Sequence, residues 1–218
     1  ASRDPLPILP GGTGNELSSE VDIPQTSEQA AQLLVSDEAR IQHVDVGQSG
    51  QTYFQLRAFV GFDAQRVQLA TREMRDRFGK AAYIVAALKA IPESKDLRFQ
   101  LTLDGKEVEC EGFTCIVENA GNMGVKGLSL APDVSISDGL LDVIVIRGLD
   151  PKSLASAVAS IADRPLDPDS FRHWQAKEIT IATDPPQAVI GDGEAWGETP
   201  ISMKVLPGAV RVITPGEV

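Results

Sequence analysis

Three short segments of this sequence carry residue types that could act on a phosphate-bearing substrate. The first is Pro10-Gly11-Gly12-Thr13-Gly14-Asn15. Its closely spaced glycines follow an apolar stretch and let the backbone approach a ligand, so that N–H groups converge on phosphate oxygens. The Thr13 hydroxyl and the Asn15 amide can add donors. No lysine follows, so this is not the Gly-Lys-Ser/Thr phosphate loop, and it is not the dinucleotide fingerprint either. The second is Asp138-Gly139-Leu140-Leu141-Asp142, two carboxylates flanking a turn ahead of an apolar run. Hard cations such as magnesium take carboxylate and carbonyl oxygens while keeping several waters. The third is Gly191-Asp192-Gly193-Glu194, two acids on a glycine-bent turn. A carboxylate there could serve as general base toward a hydroxyl, the part that phosphoryl transfer assigns to a protein side chain. Taken singly, each segment is also readable as an ordinary tight turn.

The elements around these segments follow from pattern. Residues 6–9 read as the end of a buried strand. A helix starts at Thr26 or Ser27, with Ala30, Leu33 and Leu34 as its apolar stripe, and should end near Asp37. Residues 41–47 alternate, residues 52–60 are rich in strand formers, and Gln48-Ser49-Gly50-Gln51 is the hairpin turn between them. Residues 64–78 and 80–90 read as helices. From there strands dominate: 97–103, a tight turn at Asp104-Gly105, then 107–118 running back as its partner. A strand over 140–147 and a short helix over 151–162 follow. Strands over 177–182, 187–190, 201–205 and 210–213 complete the chain. The fold class is therefore mainly β: an antiparallel β-sandwich with a few surface helices, preceded by a strand-loop-helix piece of α/β architecture. The division falls at residues 1–40 and 41–218.

Composition narrows the function classes. The 218 residues carry 20 Lys plus Arg against 31 Asp plus Glu, a net charge of -11, which disfavours nucleic acid and repels anionic surfaces. The clearest basic cluster, Arg72, Arg75, Arg77 and Lys80, reads as a solvated helix face. No apolar run approaches the roughly 18 residues needed to span a bilayer. No secretory signal is visible at the start. The two cysteines, Cys110 and Cys115, suggest no disulfide framework or metal site, so a reducing, cytoplasmic setting is expected.

The order of the motifs is more specific than any one of them. It resembles the bacterial diacylglycerol-kinase-like lipid kinases, together with the sphingosine and ceramide kinases. The matching landmarks are Pro10–Asn15, Gly61-Phe62-Asp63-Ala64, the Asn119-Ala-Gly-Asn-Met-Gly turn leading to Ala131-Pro132, Asp138–Val143, and Asp192-Gly193-Glu194 followed by Pro200 and Pro207-Gly208-Ala209. The resemblance covers nearly the whole chain. It implies an ATP phosphate site at Gly11, Gly12, Thr13, Gly14 and Asn15, with Glu194 as general base for the lipid hydroxyl. It implies that Asp192 joins a carboxylate and water network reaching a Mg2+ beside Asp138 and Leu140. It places the site in a cleft between a nucleotide-binding domain, to which residues 1–40 would belong, and the β-sandwich. The implied partner is a lipid at a membrane surface, with peripheral attachment and a homodimer both compatible.

Two departures stand out. Position 16 is Glu16 where the family usually has Asp, and the family's Gly-Gly-Asp-Gly-Thr motif is absent from these residues. That motif is expected upstream, and the 218 residues alone should show little or no kinase activity. Two other readings stay open: a non-catalytic β-sandwich that binds a lipid or a partner, and a nicotinamide-nucleotide kinase of the same two-domain plan.

Overall fold

The structure, a computed structural model, describes residues 4–12, 14–61, 97–121, 131, 134–147 and 171–216. The readings made for 64–78, 80–90 and 151–162, and those for Thr13, Phe62-Asp63-Ala64, Pro132 and the Arg72 cluster, lie outside them. Within the described residues the chain forms two six-stranded antiparallel sheets. The first contains β1 (Ala39–Ser49), β2 (Thr52–Phe54), β4 (Leu97–Leu103), β5 (Lys106–Gly112), β9 (Glu178–Asp184) and β12 (Ile201–Pro215), in the order β2-β1-β12-β9-β4-β5. The second contains β3 (Arg57–Val60), β6 (Thr114–Glu118), β7 (Leu141–Ile146), β8 (Phe171–Ala176), β10 (Ala188–Gly191) and β11 (Glu194–Glu198), in the order β11-β10-β3-β6-β7-β8. The sheets face each other across one core, in which Phe99, Leu101 and Ile181 of the first meet Val60, Val117 and Val143 of the second. The expected mainly β sandwich is what forms.

Alternation explains the second sheet only in part. The inward side chains of β6 and β7 are Cys115, Val117, Leu141, Val143 and Val145. The opposite face is buried as well, with Ile116, Ile144 and Ile146 packed with Phe113 and Ala131. Burial on both faces is why 140–147 reads as one continuous apolar run. On that outer face, in register with the isoleucines, stand Arg57, Glu118 and Asp142, paired across β3, β6 and β7.

Several expected strands are divided differently. Residues 52–60 are not one strand: the chain leaves the first sheet after Phe54 and enters the second at Arg57. Residues 107–118 likewise split at Phe113, whose N–H donates to the Ile146 carbonyl at 3.0 Å. Gly112 permits this crossing, since a Cβ there would stand 2.6 Å from that same carbonyl oxygen. The stretches 201–205 and 210–213 are instead one long strand, β12, which pairs with β1 across a register shift between Val44 and Val46. Strands β8 and β11 went unread, because Arg172, His173 and Gln175 and the two glutamates of β11 mask the alternation.

The front of the chain is less strand-like than its apolar residues suggest. Leu6 makes a single parallel bridge to Val212, and Leu6 and Leu9 are 46% and 54% exposed. A short helix not read from the sequence, α1 (Glu16–Glu20), precedes α2 (Ser27–Leu33). The α2 cap is as expected: the Thr26 hydroxyl accepts the Gln29 N–H. Val21, Ile23 and Ala30 pack with Val44 and Val212 in a second apolar cluster, which seats this segment on β1 and β12. Cys110 and Cys115 are free thiols, and burial pushes both upward from the ordinary cysteine value.

Candidate functional site

The Asp192 hairpin is built before any ligand is considered. Asp192 and Gly193 both have positive φ, 45° and 89°, the backbone of a tight turn joining β10 to β11. Gly191 and Glu194 close the turn as a pair. The Asp192 carboxylate reaches back to the crossing between β2 and β3. One oxygen accepts the Gln55 N–H at 2.6 Å, and the other accepts the Leu56 and Arg57 N–H groups at 3.1 and 2.9 Å. In return the Asp192 N–H donates to the Arg57 carbonyl at 2.9 Å. Asp192 is thus tied to main chain, whereas the Glu194 side chain two residues on is exposed. Trp196 steadies the hairpin from the other side. It packs against Phe54 with ring centroids 5.8 Å apart, and it lies against Gly191, where any Cβ would enter its ring.

The Asp138 turn is held by a residue that sequence reasoning passed over. Asp45 is 2% exposed, and its two carboxylate oxygens accept the Gly139 N–H at 2.6 Å and the Gly208 N–H at 2.7 Å. Its own N–H donates to the Ile136 carbonyl at 2.7 Å. Only the alternation of 41–47 was visible in the sequence, and no local signal marks an inward Asp facing two glycine turns about 90 and 160 residues away. Asp45→Ala would strand both N–H groups, and at roughly 1–3 kcal/mol for each such loss it should lower unfolding free energy by about 3 kcal/mol. A urea midpoint like that of the parent protein would contradict this.

Asp138 itself is exposed, and one of its oxygens accepts the Leu140 N–H at 2.9 Å. Partial burial, then the nearby Asp142 and Asp45 charges, push its carboxyl above the usual range against the pull of that hydrogen bond. An Asp carboxylate in the field of two further acids is a hard-oxygen setting. The Asp138 carboxylate is thus a donor of the oxygen type that magnesium takes. No cluster of three or more His, Cys, Asp or Glu suited to a metal occurs among the described residues. Asp142, the other carboxylate of this motif, points elsewhere. It is buried on the outer face of β7 and lies 2.6 Å from His173 Nε2.

The Gly-rich loop is exposed at Gly11, Gly12 and Gly14 and anchored at both ends. The Pro10 carbonyl accepts the Ser27 hydroxyl at 2.9 Å, and Asn15 Oδ1 accepts the Gly12 N–H at 2.9 Å. Asn15 adopts the left-handed conformation, with φ 49°, and turns the chain into α1. The first residue of α1, Glu16, lies 2.7 Å from a guanidinium nitrogen of Arg57. On its other side Arg57 Nε stands 3.3 Å from Glu118, which is fully buried.

Burial is the largest influence on Glu118, and with the adjacent Asp142 it outweighs the opposing Arg57 charge, so its carboxyl is pushed up to about 7. The unfolded value is near 4.5, so between these two values the folded chain binds more protons than the unfolded one. This contribution to stability is fully present below pH 4.5 and is lost as pH rises toward 7. Glu118→Gln should flatten that part of the stability–pH profile. Parallel profiles for the two proteins, measured by denaturant titration from pH 5 to 8, would refute this.

These three sets of contacts meet at Gln55, Leu56 and Arg57. The hairpin holds their N–H groups through Asp192. The helix beside the Gly-rich loop holds the Arg57 side chain through Glu16. The Asp138 turn is reached through Asn119, whose amide donates to the Gln55 carbonyl at 2.8 Å and to the carbonyl of Asp45 at 3.1 Å. The motifs picked from the sequence are therefore joined by hydrogen bonds and one ion pair, through Asp45, Gln55, Leu56 and Arg57, which no motif contained, and through Asn119, the first residue of one landmark.

Residues 57–214 match the family model of the YegS C-terminal NAD kinase beta sandwich-like domain. The chain belongs to this family. Among curated relatives of this YegS-type chain is "Putative lipid kinase SH2167" of Staphylococcus haemolyticus. It is 30% identical over 96% of this chain and 68% of its own length. "Uncharacterized protein sll0036" of Synechocystis is also 30% identical, over 98% of this chain, and the chain spans only half of that relative. Among solved structures, "a putative diacylglycerol kinase from Bacillus anthracis str. Sterne" superposes with a TM-score of 0.77 at 25% identity, covering 94% of this chain and 68% of that one. The names of these relatives support a kinase role for the family, and residues 57–214 correspond to its C-terminal β-sandwich domain. Among the described residues, no helix is long and apolar enough to cross a membrane.

Proposed function

We propose that this chain is the acceptor-side portion of an ATP-dependent lipid kinase, which transfers the γ-phosphoryl group to the hydroxyl of a diacylglycerol-like lipid at a membrane surface. The observation that carries the reading is the hairpin: Asp192 is fully engaged by main chain, and Glu194 beside it is free to meet a substrate hydroxyl. Glu194 is the general base in this reading, and Asp192 sets its position. Residues 1–40 belong with the nucleotide side, and Gly11, Gly12, Thr13, Gly14 and Asn15 would bind the ATP phosphates. When bound, Mg2+ would be held by Asp138 and the Leu140 carbonyl and would offset phosphate charge. With the Gly-Gly-Asp-Gly-Thr motif absent here, the 218 residues alone transfer little phosphate.

The test uses the full-length natural protein with ATP and Mg2+ and follows phosphate transfer to diacylglycerol, to a sphingoid base and to NAD. Transfer to a lipid supports the proposal. Transfer to NAD alone would replace it with the nicotinamide-nucleotide reading, for which the name of the matched domain speaks. Transfer to no acceptor, with lipid binding retained, would favour a non-catalytic module.

A further inference from the structure

Arg57 lies outside every motif, yet two parts of the proposed site meet on it. Its side chain is almost fully buried, and its guanidinium lies between Glu16 of α1 at 2.7 Å and Glu118 of β6 at 3.3 Å. Its main chain carries a reciprocal pair of hydrogen bonds with Asp192. The Arg57 N–H donates to Asp192 Oδ1 at 2.9 Å, and the Asp192 N–H donates to the Arg57 carbonyl at 2.9 Å. Glu16 directly follows Asn15, whose side chain ties down Gly12 of the Gly-rich loop. A path of short polar contacts and the chain's own covalent bonds therefore runs from Gly12 through Asn15, Glu16, Arg57 and Asp192 to the turn that presents Glu194.

A planar guanidinium suits such a link. One terminal nitrogen hydrogen-bonds Glu16 while Nε faces Glu118 as a charge contact, so one planar cation spans acids of two elements, which the compact point charge of a lysine does less well. Burial strengthens both contacts relative to water. We propose that Arg57 is a positioning residue that couples the Gly-rich loop to the Glu194 hairpin, so that the phosphate side and the base side of the site are set in register through the Glu16–Arg57 ion pair. This rests on the lipid-kinase reading for its effect on rate, whereas the mechanical coupling can be measured without it.

The test compares Glu16→Gln with the parent in the full-length protein. Glu16 is only partly buried, so the change keeps the fold. Amide hydrogen exchange should accelerate by roughly tenfold in the hairpin, residues 192–198, as well as beside the substitution. Faster exchange confined to residues 15–20 would overturn the coupling. In the lipid-phosphorylation assay, kcat should fall roughly ten- to hundredfold while the lipid KM moves by less than about twofold. Arg57→Lys should do the same, and the double variant should lose little more than either single one. Faster hairpin exchange with an unchanged kcat would overturn the positioning role. A parent protein that phosphorylates no acceptor would sink the lipid-kinase reading, and the exchange measurement would still decide the coupling.

Discussion

Glu194→Gln in the full-length protein is expected to lower lipid phosphorylation by a factor of roughly 10²–10⁴, the usual range for removing a positioned general base. The fold should be indifferent to the change. The Glu194 side chain is exposed at the start of β11, and surface changes of this kind shift stability by roughly 0.5 kcal/mol or less. A large loss of rate with an unmoved melting temperature is therefore the signature to look for. Asp192 is the natural competitor for the role, being two residues away and also a carboxylate. Its two oxygens already accept three main-chain N–H groups, so it has little capacity left for a substrate proton. Asp192→Asn should accordingly act through the hairpin, lowering the melting temperature together with activity. A Glu194→Gln protein with the parent rate would move the base elsewhere and remove the main support for the proposed chemistry.

What could be read in advance divides along physical lines. Turns and caps were legible because they are local. Asp104-Gly105 and Asp192-Gly193 have the positive φ angles that such dipeptides favour, and Thr26 caps α2. The two-sided burial of β7 was legible as a continuous apolar run. Sheet membership was not, because a strand that changes sheets looks the same, residue by residue, as one that does not. Residues 52–60 show the consequence. Tyr53, Phe54, Phe59 and Val60 are all good strand formers, and nothing local places Gln55 and Leu56 at a crossing between sheets. That crossing proved to be where the Gly-rich loop, the Asp138 turn and the Glu194 hairpin are tied together. The motifs supplied the ends of this arrangement. The middle rests on Asp45, Arg57, Glu118 and Asn119, of which only Asn119 stood in a landmark; their roles come from pairings roughly 40 to 160 residues apart and leave no periodic trace. Glu16 shows the same limit. As a motif residue it is a departure from the expected Asp, and only the structure shows its carboxylate on Arg57.

The strongest effect on stability is expected from Arg57→Met. Arg57 is 7% exposed, and Glu118 behind it is 0% exposed, so removing the guanidinium leaves a buried carboxyl without its cation. Breaking one partner of a buried pair costs roughly 3–5 kcal/mol, because the remaining group keeps its desolvation cost and loses its compensation. The environment suggests how to recover it. Ile116, Ile144 and Ile146 line the same outer face, so an apolar side chain in place of Glu118 would find apolar neighbours. Arg57→Met combined with Glu118→Leu should therefore regain most of the lost stability, as expected when a buried ion pair is replaced as a unit. Urea unfolding of the two single variants and the double variant measures this directly through their coupling energy. A single-variant cost below about 1 kcal/mol would mean that the pair is solvated in solution, in the manner of a surface salt bridge. Recovery of stability without recovery of kcat in the double variant would separate the two roles of Arg57, since the apolar pair restores packing on β3 and β6 but leaves Glu16 with nothing to hold.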